Sequence, residues 1–152
     1  MNRLAPIVSA ILAAVLIAGC SGAQSRRDVY MHLMTPEQQA HFQRMEAEQK
    51  PASLKLAYLQ GIGVYQEWAE VPKDTQQAVL RREVKQGMTP SAVRMALGEP
   101  DRIEDATLPD DRAAGRERVI WHYDGTFWKF GSRGARRSIC FLGDKVLSFR
   151  GG

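Results

Sequence analysis

Gly87-Met88-Thr89-Pro90-Ser91-Ala92-Val93-Arg94-Met95-Ala96-Leu97-Gly98-Glu99-Pro100 is the most sharply punctuated stretch of the chain. Thr89 is placed to cap a helix. Pro90 suits the first helical position, where its missing N–H is no loss. Gly98 ends the helix and Pro100 prevents its continuation. Between these marks Val93, Ala96 and Leu97 form one narrow apolar face of a two-turn helix. A helix that short is not stable alone in water, so it requires a sheet or a neighbouring helix to pack on.

Downstream, residues 101–116 are rich in Asp, Arg, Pro, Ala and Gly, and predict a solvated loop. The apolar period then changes from 3.6 to 2. In Arg118-Val119-Ile120-Trp121-His122-Tyr123, the residues Val119, Trp121 and Tyr123 share one face of a half-buried strand that turns at Asp124-Gly125. Residues 137–142 and 145–150 read as two further strands about the tight turn Gly143-Asp144, and so as an antiparallel hairpin. Thr126-Phe127-Trp128-Lys129-Phe130 either extends the first strand or forms one of its own; spacing leaves both open.

Upstream, Pro72 opens a helix with Asp74 or Thr75 near its start and Val79, Leu80 and Val84 as an apolar edge. Before it, residues 53–70 carry Leu54, Tyr58, Ile62 and Tyr65 at helical spacing, with Leu59 and Trp68 beside them. Gly61 and Gly63 each cost about 1 kcal/mol inside a helix and predict a break there. They make no nucleotide loop, since no strand precedes them and the third glycine is missing. Thr35, Pro36 and Gln38 compose a capping box that starts another helix, with Phe42 and Met45 on one face and Pro51 closing it. From Ser21 to about Val29 the chain is polar, small and basic without period, and reads as a tether.

The N-terminus carries Arg3, an apolar run from Leu4 to Ala18, then Gly19 and Cys20, the order of a secretory signal. Fifteen helical residues reach only about 22 Å, short of the roughly 30 Å of a hydrocarbon core. Leu16-Ile17-Ala18-Gly19-Cys20-Ser21 resembles the lipobox of bacterial lipoproteins. That resemblance implies cleavage between Gly19 and Cys20, a diacylglycerol thioether on the Cys20 thiol and an acyl chain such as palmitate on the freed amine. Two acyl anchors suffice for stable attachment. Ser21 is not the aspartate that signals inner-membrane retention in enteric bacteria, so the outer membrane is the expected location, with the domain facing the periplasm.

The chain has 21 Lys+Arg against 17 Asp+Glu, and without Arg3 the surplus falls to three, with no run of five like charges. This mild bias favours an anionic lipid surface more than nucleic acid, which export also argues against. Once Cys20 is lipidated, Cys140 has no partner for an intramolecular disulfide, and it reads as packing within an apolar strand. His32, His41 and His122 are far apart, so no metal site is expected. There is no nucleophile elbow. Asp110 and Asp111 fall in the expected loop, where nothing would separate their pKa values. No catalytic residue and no cofactor is expected.

Gly87-Met88-Thr89, Val93, Leu97-Gly98-Glu99-Pro100, Trp121-His122-Tyr123 and Phe141-Leu142-Gly143-Asp144-Lys145-Val146-Leu147, in this order behind a lipobox, resemble the SmpA/OmlA (BamE-like) outer-membrane lipoproteins. The resemblance implies an α+β module of helices packed on a three-stranded antiparallel sheet. It further implies a non-catalytic accessory subunit of β-barrel assembly that touches other envelope proteins and anionic phospholipid. The expected organisation is a signal peptide (1–19), a tether (20–29), a helical segment (30–78) and the α+β module (79–152). The helical segment, which family members lack, either completes the core through Tyr58, Tyr65 and Trp68 or docks a partner. Trp128, Lys129, Arg133, Arg136 and Arg137 form a candidate contact surface, an aromatic among basic groups; a solvated hairpin loop is the alternative.

Cys20→Ser is expected to abolish fatty-acid labelling and leave uncleaved or soluble protein; unchanged membrane attachment would refute lipidation.

Overall fold

The computed structural model describes residues 23–124 and 136–151. The signal peptide and Cys20 lie outside the described residues, as do Trp128, Lys129 and Arg133. The chain is α+β, with seven helices and a four-stranded antiparallel sheet among the described residues. The helices are α1 (Arg26–Leu33), α2 (Pro36–Ala47), α3 (Ala52–Gly61), α4 (Val64–Ala69), α5 (Lys73–Leu80), α6 (Pro90–Leu97) and α7 (Pro109–Ala113). The strands β1 (Arg102–Asp105), β2 (Arg118–Tyr123), β3 (Arg137–Leu142) and β4 (Lys145–Arg150) are ordered β1-β2-β3-β4.

The eight-residue α6 is where the layers meet. The Thr89 hydroxyl accepts from the Ala92 N–H at 3.2 Å, and Gly98 ends the helix at φ +82°. Ala92, Val93, Met95, Ala96 and Leu97 are all buried, more than the narrow face expected, because α1 and α5 pack on this helix and the sheet completes the same core. The sheet contributes Trp121, Tyr123, Ile139, Phe141 and Val146. Trp121 packs on Phe141 with ring centroids 4.7 Å apart, and the Arg94 guanidinium lies over the Trp121 ring at 5.7 Å. Gly87 and Met88 exchange hydrogen bonds with Val146, which ties the approach to α6 onto β4.

The three-stranded expectation is corrected to four. Residues 101–116 are not a loop throughout, since they contain β1 and α7. All four β1 side chains are exposed, so the segment shows no alternation. It is a strand by virtue of its ladder with β2, running from Arg102 opposite His122 to Asp105 opposite Val119. The expected hairpin is present, with a bulge between Cys140 and Phe141 that shifts the register.

The helical segment joins the same core. Tyr30, Met34, Phe42, Leu59, Val64 and Trp68 are buried with the α6 and sheet residues, and Tyr58 packs beside them. Tyr65 remains exposed. The expected break falls at Ile62-Gly63, where Gly63 at φ +84° caps α4. Residues 24–29 of the stretch read as tether belong to the fold instead. Ser25 and Asp28 form a capping box that starts α1 at Arg26, and Val29 is fully buried.

Gln24 attaches this N-terminal arm. Its backbone N–H donates to Leu80 O at 2.8 Å, and its side-chain Nε2 donates to the carbonyls of Val79 (2.8 Å), Met95 (2.9 Å) and Ala96 (3.3 Å). The last carbonyls of a helix have no partner within it, so Gln24 satisfies the ends of α5 and α6 together. His32 adds to this. Its Nδ1 lies 2.9 Å from Met95 O, which can only accept, so Nδ1 carries the proton.

Gln24→Ala is expected to lower the unfolding free energy by about 1–3 kcal/mol, since the Ala96 carbonyl loses its donor and the Val79 and Met95 carbonyls are left with Arg82 N–H and His32 Nδ1 alone. Urea denaturation measures it, and an unchanged midpoint would show that the arm does not hold the helices.

Candidate membrane-proximal contact surface

The residues on which the resemblance was drawn serve the architecture. Met88, Val93, Leu97 and Phe141 are core, and Pro100 is half-buried beyond the helix end. Gly87 takes φ +83° where the chain turns into the Thr89 cap. The buried Tyr123 hydroxyl donates to Gly98 O at 3.1 Å. Burial raises the Tyr123 pKa well above the usual tyrosine range, so it stays a neutral donor. A Cβ on Gly98 would meet the His32 ring at an ordinary contact distance of 3.4 Å, so it is the φ of +82° that favours glycine here.

The titratable residues make structural pairs. His41 is exposed on α2 with its ring 4.7 Å from Tyr58. His122 bridges Glu104 (2.8 Å) and Ser138 (3.2 Å) across three strands. Hydrogen bonds from His122 and Arg102 hold the Glu104 carboxyl below the usual glutamate range. Cys140 is half-buried on the sheet face opposite the core, not in the core as its strand suggested.

Asp111 departs from expectation. It is 4 % exposed, and its carboxylate accepts from Arg118 Nε at 2.8 Å with Arg116 at 3.5 Å. The hydrogen bond from Arg118 outweighs desolvation and holds Asp111 below the usual aspartate range, so the expectation of an unshifted loop carboxylate is corrected. The result is an ion-paired clasp between α7 and β2.

Of the candidate contact residues, the structure describes Arg136 and Arg137. Arg136 is exposed, with its carbonyl beside Gly151. Arg137 is half-buried and donates from Nη1 to Arg82 O at 3.0 Å. Sequence reasoning missed what stands around it. Arg81, Arg82, Arg137 and Arg150 line a groove of ≈ 240 Å³ with Glu83 and Phe149. The four arginines come from the end of α5 and from two strands, so no run of basic residues announced them. A larger cleft of ≈ 460 Å³ beside α7 is lined by both signs of charge, Asp105 and Glu117 against Arg112 and Arg116. Only the smaller groove has one dominant sign.

The pH dependence has a defined direction. A depressed native pKa at Asp111 stabilises the fold above the unfolded value of about 3.9, and that contribution is lost as pH falls through the native value. Melting temperatures taken from pH 7 down to pH 3 are expected to fall less steeply below about pH 4 for Asp111→Asn than for the parent; equal slopes would contradict the ion pair.

Comparison with protein-family models, curated proteins and solved structures finds no match for this chain.

Proposed function

We propose that this protein is a lipid-anchored envelope lipoprotein, cut before Cys20, that serves as a non-catalytic scaffold or accessory factor at the periplasmic face of the outer membrane. The observation that carries the reading is the lipobox-like junction Leu16-Ile17-Ala18-Gly19-Cys20 standing four residues before Gln24, where the folded domain begins. A chain extends at most about 3.6 Å per residue, so a domain anchored there sits within roughly 14 Å of its lipid. Such a tether suits work at a membrane surface better than reach across the periplasm.

The partner class follows from the family resemblance, which rests on the quoted residues. Assistance to outer-membrane β-barrel assembly, or to envelope integrity, is the function it supports. A second reading takes support from the sheet. The face opposite the core carries Ile120, Cys140 and Leu142, half-buried and outside the core cluster. An inhibitor-like module would use such a face to bind a periplasmic hydrolase.

Crosslinking the native, membrane-extracted protein and identifying its partners separates the two. The scaffold reading expects β-barrel assembly subunits, and a leaky outer membrane in a strain lacking the protein. Capture of a soluble hydrolase with normal permeability would overturn it in favour of the second reading.

A further inference from the structure

The cleft of ≈ 460 Å³ beside α7 carries carboxylates and guanidinium groups on the same walls. Asp105, at the end of β1, and Glu117, just before β2, supply the negative charge. Arg112, on α7, and Arg116, in the turn after it, supply the positive. Half-buried Val119 adds an apolar patch. The volume falls within the roughly 300–1,000 Å³ of small-molecule sites.

The walls are fixed before any ligand arrives. The Asp111 clasp holds α7 to β2, and the Arg116 N–H donates to the Asp111 carbonyl at 2.8 Å, which ties the turn back onto α7. The Gly143 N–H donates to Glu117 O at 2.8 Å and fixes the backbone there against the β3–β4 turn. Hydrogen bonds from Thr107 hold the Asp105 carboxyl below the usual aspartate range, so its charge is kept. Among the described residues, however, neither Arg112 nor Glu117 makes an ion pair or a side-chain hydrogen bond. Elsewhere on this surface arginines close onto neighbouring carboxylates, Arg94 onto Glu99 and Arg102 onto Glu104.

Opposite charges that line one cleft without closing on each other match a ligand that carries both. An anion drawn to Arg112 and Arg116 would also face Asp105 and Glu117, and a cation would meet the reverse. A molecule with one carboxylate and one ammonium group meets no such conflict, and a guanidinium fork suits the carboxylate. We propose that this cleft binds a zwitterion of the amino-acid or short-peptide class, its carboxylate on Arg112 and Arg116 and its ammonium group on Glu117 and Asp105. The proposal goes beyond the scaffold reading and does not rest on the lipid anchor. Val119 and Tyr123 are four residues apart on β2, so roughly 13 Å separates the cleft from the end of the sheet where the arm is tied.

The test titrates the full chain, in uncharged detergent at low salt, with glycine and with triglycine, and follows the amide NMR signals of residues 112–117. N-acetyltriglycine, which lacks the ammonium group, and triglycine amide, which lacks the carboxylate, are the matched probes. Uncapped ligand is expected to bind with a Kd of about 1 mM, since exposed charge pairs are individually weak, and more weakly as salt rises. Each cap on triglycine should cost about five-fold. Arg112→Gln should shrink the penalty for capping the carboxylate and keep the other, and Glu117→Gln should do the reverse. Arg81→Gln, at the other end of the sheet, should leave both. The tighter of glycine and triglycine tells a free amino acid from a peptide. Capped and uncapped probes that bind alike, no saturation below about 10 mM, or variants that leave both penalties intact would overturn the assignment.

Discussion

The hydrogen bonds of Gln24 hold together parts of the molecule that local structure leaves apart. Helices α5 and α6 pack together, and the carbonyls of Leu80, Met95 and Ala96 at their ends take donors from outside the two helices. One carboxamide reaches carbonyls of both helices, and the backbone N–H of the same residue takes a further one. His32, two turns along α1, shares the Met95 carbonyl. The N-terminal arm therefore closes the helical layer over the sheet. It follows that Gln24 and α1 are part of the folded domain.

Gly98 shows how tightly this arrangement is determined. It ends α6 in a left-handed conformation, accepts the Tyr123 hydroxyl from the sheet and lies against the His32 ring from α1. Three layers converge on one residue without a side chain. The sharp punctuation of the string from Gly87 to Pro100 thus has an architectural cause, and such residues describe how a module is built more than what it binds. Function is better sought where the fold has no structural need of a residue, as with the exposed Arg112 and Glu117.

The capped helix, the hairpin and the break at Gly63 were legible because each is written in local chemistry: a hydroxyl before proline, a glycine-led turn, a glycine at positive φ. The helix α1 was legible in part. Ser25 and Asp28 stand at capping-box spacing, but the two arginines that follow hid the apolar face formed by Val29, Tyr30 and Leu33. Strand β1 was not legible, since its exposed side chains carry no period and its identity comes from β2. The Asp111 clasp and the arginine groove were hidden for the same reason. Asp111 meets Arg118 only after the chain turns from α7 into β2, and Arg81 is brought near Arg137 and Arg150 by the packing of α5 beside the sheet. Of the surface proposed from sequence, Arg137 lies in that groove, Arg136 at the same end, and Trp128, Lys129 and Arg133 outside the described residues.

The central claim is that Gln24, four residues after Cys20 in the sequence, is already part of the folded domain. Amide hydrogen exchange of the native chain tests it directly, since an amide that opens only with the whole fold exchanges far more slowly than one in a free segment. The Gln24 amide is expected to be protected to a degree approaching that of Val93 in α6. Exchange of Gln24 at the rate of an unstructured peptide, with Val93 still protected, would contradict the account.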